Sequence, residues 1–248
     1  MARKRTSTPG PYLLHLELLR ERISDATRYP YTLPAVRGLT KLAFHPKVTF
    51  LVGENGSGKS TLLEAIAVAC DLNPEGGSRN FNFATRASHA SLADCLRLAR
   101  SHHQLDDGFF LRAETFYNVA SEIERLGVGS NYSGVSLHEQ SHGESFFALF
   151  KNRFRDNGLY LMDEPEAALS PQRQLEFLAL LHDYVRRGGQ FVIATHSPII
   201  MAYPDACIYK LDGAGIREVP YEETEHYLVT RGFLSNRKKS LETLMGED

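Results

Sequence analysis

A short β-rich run, Val48-Thr49-Phe50-Leu51-Val52, leads directly into Gly53-Glu54-Asn55-Gly56-Ser57-Gly58-Lys59-Ser60-Thr61. No other stretch limits the possible folds as tightly. It fits the pattern G-x-x-x-x-G-K-[ST] and lies between a strand and a helix. Glycines there let backbone N–H groups converge on an anion that a side chain would obstruct. From Ser60 to Leu72 the residues Leu62, Leu63, Ile66 and Cys70 make one apolar helical stripe, which Asn73-Pro74 stops. That helix aims its positive end at the same anion. Lys59 is expected to meet the β- and γ-phosphates of a nucleotide, and Ser60 to offer its hydroxyl to Mg²⁺.

Two further segments fit the same chemistry. Leu159-Tyr160-Leu161-Met162-Asp163-Glu164-Pro165 is an apolar strand that ends in two carboxylates. Asp163 at the strand end is expected to hold Mg²⁺, directly or through water, and Glu164 to polarise an attacking water as general base. Ala194-Thr195-His196-Ser197-Pro198 follows the next apolar run, Phe191 to Ala194. His196 would then stand at the carboxyl edge of a sheet, where α/β folds place their ligands, near the γ-phosphate. Alone it would read as a hydrogen-bonded turn histidine.

Elsewhere the pattern alternates short apolar strands with helices. Gly108–Arg112 reads as a strand, as do Cys207–Leu211 and Ile216–Val219, the last two forming a hairpin around Asp212-Gly213. Helices are expected over Ser91–Arg100, Ser141–Phe154 and Pro171–Arg187, the last with Ser170 as N-cap and Gly188 beyond its end. Residues 75–90 read as a loop, and the chain from Tyr221 as one or two helices. This alternation argues for an α/β fold around a mostly parallel sheet. Residues 1–10 are basic and polar, a disordered tail without the apolar stretch of a signal peptide. No run approaches 18 apolar residues, so no membrane-spanning helix is expected and the cytoplasm is the expected compartment. The net charge of −2 offers no global basic excess, so DNA binding would need a local patch. Arg79, Arg86, Arg97 and Arg100 form the candidate patch.

The order of these motifs resembles the ABC-type ATPases, in particular the soluble, stand-alone branch that carries Ala-Thr-His-Ser-Pro, as DNA-repair and anti-phage ATPases do. The resemblance covers roughly residues 29–212. It implies an α/β P-loop NTPase of the ABC ATPase type, with a mostly parallel central sheet, flanking helices and a small helical subdomain. The whole of 1–248 would be one domain, with a helical insertion over about 75–155 and C-terminal helices over about 221–248. It also implies Mg²⁺-dependent ATP hydrolysis by a homodimer that sandwiches ATP. The family's signature motif would fall at Gln140-Ser141-His142-Gly143-Glu144, which keeps Ser141 and Gly143 but departs from the family pattern at three positions. Ser141, Gly143 and Glu144 would contact the γ-phosphate held by the other subunit. Ser141 with Glu144 three residues later is also a capping box for an ordinary helix. The family's glutamine at the end of a second strand is missing, and Glu114 is the candidate substitute as a water-mediated Mg²⁺ contact. Tyr29 and Tyr31 are the candidate adenine platforms, with Tyr31 carried forward as a nucleotide contact.

About 105 residues separate the phosphate loop from the acidic strand. That span holds a small subdomain but no long coiled-coil arm. The resemblance leaves the driven process open: a partner protein in DNA repair or phage defence fits it, as does a membrane-transporter subunit. A small-molecule kinase could use the same phosphate loop but would leave Asp163, Glu164 and His196 unexplained.

Overall fold

The computed structural model describes residues 10–74, 76–77, 87–103, 105–112 and 142–246. In chain order the strands are β1 (Leu13–Leu18), β2 (Lys41–Ala43), β3 (Val48–Val52), β4 (Leu96–Arg100), β5 (Asp107–Arg112), β6 (Gly158–Asp163), β7 (Gln190–Ala194), β8 (Cys207–Asp212) and β9 (Gly215–Glu218). The helices are α1 (Pro34–Gly38), α2 (Lys59–Ala69), α3 (Ala87–Asp94), α4 (His142–Arg153), α5 (Pro171–Arg186), α6 (Glu225–Ser235) and α7 (Arg237–Met245).

The central sheet runs β5-β6-β7-β3-β8-β9. All its pairings are parallel except β8 with β9, the expected hairpin. Strands β3, β6 and β7 are buried along their full length, as near-continuous apolar runs covered on both faces require. Alternate residues feed two cores. Val48, Phe50, Tyr160, Met162, Phe191 and Ile193 face one, which α4 and α5 cover with Phe146, Phe150, Phe177 and Tyr184. Leu51, Leu159, Leu161, Val192 and Ala194 face the other, shared with α1, α2 and β1. Helix α5 starts as the sequence indicates, with Ser170 Oγ accepting from the Arg173 N–H at 3.4 Å and Pro171 in the first position.

A second sheet, β2-β1-β4, is antiparallel and absent from the sequence expectations. Its third strand occupies half of the segment expected to be helical. Ser91–Arg100 divides instead: α3 covers 87–94, and Leu96–Arg100 pairs with β1, Leu96 opposite Leu18 and Leu98 opposite Leu16. The period-two spacing of Leu96 and Leu98, with a partner strand available, overrides a weak helical pattern. Residues 87–90, expected as loop, belong to α3. The region expected to hold the helical subdomain is described at 76–77, 87–103, 105–112 and 142–155, so about half of that expectation lies outside the described residues.

One buried side chain joins the two sheets. Gln190, 2% exposed at the start of β7, accepts from the Tyr12 and Leu13 N–H groups at 3.0 and 2.8 Å. Its amide N–H groups donate to Leu13 O at 2.8 Å and His45 O at 3.0 Å. It thus completes backbone hydrogen bonding where neither sheet can. Gln190→Leu keeps the bulk but strips four partners, at about 1–3 kcal/mol for each group left buried and unpaired. Chemical denaturation should show a loss of at least about 2 kcal/mol; an unchanged midpoint would refute this role.

Candidate functional site

Parallel strands deliver their carboxyl ends to one edge, and the three sequence motifs meet there. Asp163, Ala194 and Leu51 are neighbours in the registers of β6, β7 and β3. The phosphate loop leaves β3 at Gly53, whose φ of +150° suits glycine; a Cβ there would lie 2.2 Å from Leu211 O. The loop then turns into α2 through Gly58 at φ +99°. Lys59 is 4% exposed and folds back, donating to Gly53 O at 2.9 Å and Glu54 O at 3.0 Å. Burial holds its ammonium below the usual lysine range, against the pull of Glu164, Asp163 and Glu166.

Ser60 Oγ donates to Asp163 Oδ1 at 3.1 Å, across 103 residues of sequence. Asp163 is 6% exposed, and burial pushes its carboxyl up to about 6 despite nearby Arg112. A hydroxyl beside a desolvated carboxylate is a hard oxygen donor set that suits Mg²⁺. Glu164, the next residue, has left-handed backbone angles, φ +50° and ψ +53°. A non-glycine residue held there stores roughly 1–2 kcal/mol of strain, a burden that concentrates at functional sites. Its N–H donates to Ala194 O at 2.9 Å, and its carboxylate lies 3.4 Å from His196 Nε2.

Residues outside the expected sites hold this arrangement. Glu166 accepts from Thr195 Oγ1 at 2.8 Å and from the His196 N–H at 2.5 Å, clamping the histidine turn to the end of β6. Ser197 Oγ donates to Gln174 Oε1 at 2.5 Å. Arg112 Nη1 meets Glu64 at 2.6 Å, and its Nε lies 3.8 Å from Asp163, so one guanidinium lies between two buried carboxylates. A signal for Glu64 existed: it follows Ser60 by four residues and so shares its helix face. His226, from α6, places Nε2 3.0 Å from His196 Nδ1. A cleft of about 540 Å³ opens beside these rings, lined by Glu54, Asn55, His196, His226 and Val229 among others.

Other expected residues fare differently. Asn55, Gly56, Ser57 and Thr61 fall on the loop and the start of α2 as expected. Tyr31 is a correction: it is 8% exposed, and its hydroxyl donates to Ser91 O at 2.8 Å, so its ring packs in the core. Tyr29 is 55% exposed, with its hydroxyl 2.7 Å from Thr61 Oγ1, and so is the aromatic at the loop. Gly143 and Glu144 lie in the first turn of α4, while Ser141 and Glu114 lie outside the described residues. Of the arginine patch, Arg79 and Arg86 are likewise outside. Arg97 is exposed and paired with Glu17, and the exposed Arg100 donates to Ala69 O.

A family described as "AAA domain" matches residues 33–143, and one described as "AAA domain, putative AbiEii toxin, Type IV TA system" matches 131–202. The cytochrome c biogenesis ATP-binding export protein CcmA of Rhodopseudomonas palustris is 27% identical over 159 residues, 61% of this chain and 79% of the relative. The macrolide export ATP-binding/permease protein MacB of Shigella dysenteriae is 23% identical over 210 residues, 75% of this chain but 31% of MacB. Among solved structures, the SMC head domain from Thermotoga maritima aligns at a TM-score of 0.47 and 17% identity, covering 84% of this chain and 98% of that one. Among the described residues no helix is long and apolar enough to cross a membrane.

Burial of Asp163 has a pH signature. Its folded pKa of about 6 stands above the ordinary aspartate value of 3.8, so the folded state binds the proton more tightly. Stability on this account falls as pH rises from about 4 to about 6, and the loss is complete above that. Asp163→Asn escapes it. In EDTA the stability of Asp163→Asn relative to the parent should rise by about 1–2 kcal/mol between pH 5 and pH 8. Denaturation at the two pH values tests this, and a pH-independent difference would refute it.

Proposed function

We propose that the chain, which matches AAA domain families over residues 33–143 and 131–202 and is similar to ABC-type ATP-binding proteins, hydrolyses ATP with Mg²⁺ as a nucleotide-gated homodimer. The observation that carries this reading is the Ser60–Asp163 contact, with Glu164 and His196 beside it at the same sheet edge. In this reading backbone N–H groups of Gly53–Ser60 cradle the phosphates at the start of α2. Lys59 exchanges its two loop carbonyls for phosphate oxygens. Ser60 and Asp163 hold Mg²⁺, which when bound neutralises charge on the phosphate oxygens. Glu164 takes the proton of the attacking water, held above the fold's edge by its left-handed backbone. His196 presents Nε2 to the γ-phosphate and to that water. Tyr29, exposed beside Thr61, takes the adenine role expected of Tyr31.

The dimer rests on the first turn of α4. Gly143 and Glu144 lie where a helix start offers N–H donors to an anion, and Ser141 would add its hydroxyl. In the sandwich these groups reach the γ-phosphate bound to the partner subunit, with Glu114 as a water-mediated Mg²⁺ contact. The protein is taken to act in the cytoplasm on an effector protein, in DNA repair or phage defence. Its net charge of −2 leaves DNA contact to a local patch or to that partner. The similarity to CcmA and MacB favours a second reading, the nucleotide-binding subunit of a membrane transporter. Co-purification with a membrane protein would support it.

Glu164→Gln removes the base but keeps the size. Hydrolysis should fall by about 10²-fold or more while ATP still binds. On size-exclusion chromatography with ATP and Mg²⁺ the variant should run as a stable dimer. A variant that stays monomeric with ATP bound counts against the sandwich.

A further inference from the structure

We infer that His226, delivered by α6, is a positioning residue that holds His196 as its Nε2–H tautomer and fixes the plane of its ring. The inference rests on the proposed role of His196 and deepens it.

Donors and acceptors around the two rings decide the tautomer. His196 Nδ1 and His226 Nε2 stand 3.0 Å apart, so one of them carries the shared hydrogen. The other nitrogen of His196, Nε2, lies 3.4 Å from Glu164 Oε1, a carboxylate that only accepts. Were His196 the donor through Nδ1–H, its Nε2 would be a bare lone pair facing that carboxylate. With hydrogen on Nε2 the same 3.4 Å approach is electrostatically attractive, although it is not a hydrogen bond. Glu164 therefore selects Nε2–H, His196 Nδ1 becomes the acceptor, and the donor is His226 Nε2–H. The hydrogen bond made by one imidazole nitrogen dictates the state of the other.

Three more features fit a built-in support. The rings meet edge-on, with centroids 5.1 Å apart and planes at 66°, so His226 restricts rotation of His196 as well as its tautomer. The segment that carries His226 is itself tied to the histidine turn. Tyr221 Oη donates to Pro198 O at 2.9 Å, and the buried Thr224 before α6 donates to Tyr221 O at 2.7 Å. Burial, His196, Lys59 and Lys210 hold His226 below the usual histidine range, against the pull of Glu225. The arrangement has a cost: His226 Nδ1 is buried with no hydrogen-bond partner among the described residues. An orphaned nitrogen beside the site is tolerable where its ring serves that site.

The consequence is that α6 helps to set the reactive geometry. His226→Gln retains an N–H donor for His196 Nδ1, whereas His226→Leu keeps bulk and loses the donor. ¹⁵N NMR of histidine-labelled protein at pH 8 without nucleotide should show His196 Nδ1 unprotonated and Nε2 protonated. Steady-state ATPase assays should show His226→Leu lowering kcat by about tenfold with KM nearly unchanged, and His226→Gln recovering most of it. The double variant His196→Ala/His226→Leu should be no slower than His196→Ala alone. A protonated His196 Nδ1, a His226→Leu kcat equal to the parent's, or additive losses in the double variant would each overturn the inference. If the parent protein hydrolyses no ATP, the proposed function fails, and the NMR result decides the role of His226 separately.

Discussion

Parallel pairing of β6, β7 and β3 is the constraint on which the site depends. Parallel strands must end at the same edge. The register that sets Asp163 opposite Ala194, and Ala194 opposite Leu51, therefore brings three distant motifs within contact. Ser60 and Asp163 are 103 residues apart in sequence and share a hydrogen bond only because of that register. A slip of one residue in β6 would turn Asp163 toward the opposite face and exchange Met162 and Tyr160 for Leu161 in the core. The two separate cores on the sheet's faces hold the register, because each alternate residue already has its apolar partners.

Around this edge the protein concentrates groups that a fold selected for stability alone would avoid. Asp163 and Glu64 are buried carboxylates, Lys59 is a buried ammonium, and Glu164 has a backbone that glycine would adopt more readily. Arg112 moderates part of the burden by pairing with Glu64 close to Asp163. Its placement follows from the same sheet, since Arg112 is opposite Asp163 in the β5–β6 register. Removing either carboxylate would leave the guanidinium less well paired, and an unpaired buried charge costs more than the pair contributes.

The sequence made the phosphate loop, the acidic strand and the histidine turn legible, because each is a local pattern whose chemistry depends on close neighbours. The parallel sheet was legible from unbroken apolar runs such as Leu159–Met162. The antiparallel sheet was not. Its strands β1 and β4 read weakly alone, and their identity depends on each other and on the Gln190 amide, partners that lie up to 178 residues away. Tyr31 and Tyr29 illustrate the same limit within a site. Both precede the phosphate loop, and no local rule says which ring turns inward; the packing of α1 and α3 decides it. Glu166 and His226 were missed for a further reason. Each acts on another residue's orientation, and such support leaves no spacing pattern.

Strain, buried charge and orphaned nitrogens at one sheet edge have a common physical reading. Each is a cost in the ligand-free protein that an anion and a cation bound together would offset. Lys59 would gain an anionic partner in place of carbonyls, and Asp163 a cation in place of a hydroxyl hydrogen. His196 Nε2, which makes no hydrogen bond among the described residues, would gain an acceptor. The rest of the molecule offsets these costs through dense packing, with Phe146, Phe150, Phe154, Phe177, Tyr160 and Tyr184 forming a continuous aromatic cluster behind the sheet. Aromatic residues bury large areas each, and edge-to-face and stacked pairs add to that burial. Stability is therefore built on the α4–α5 face, and the carboxyl edge is free to be chemically unfavourable. That division explains why the catalytic candidates cluster where local rules of stability are broken.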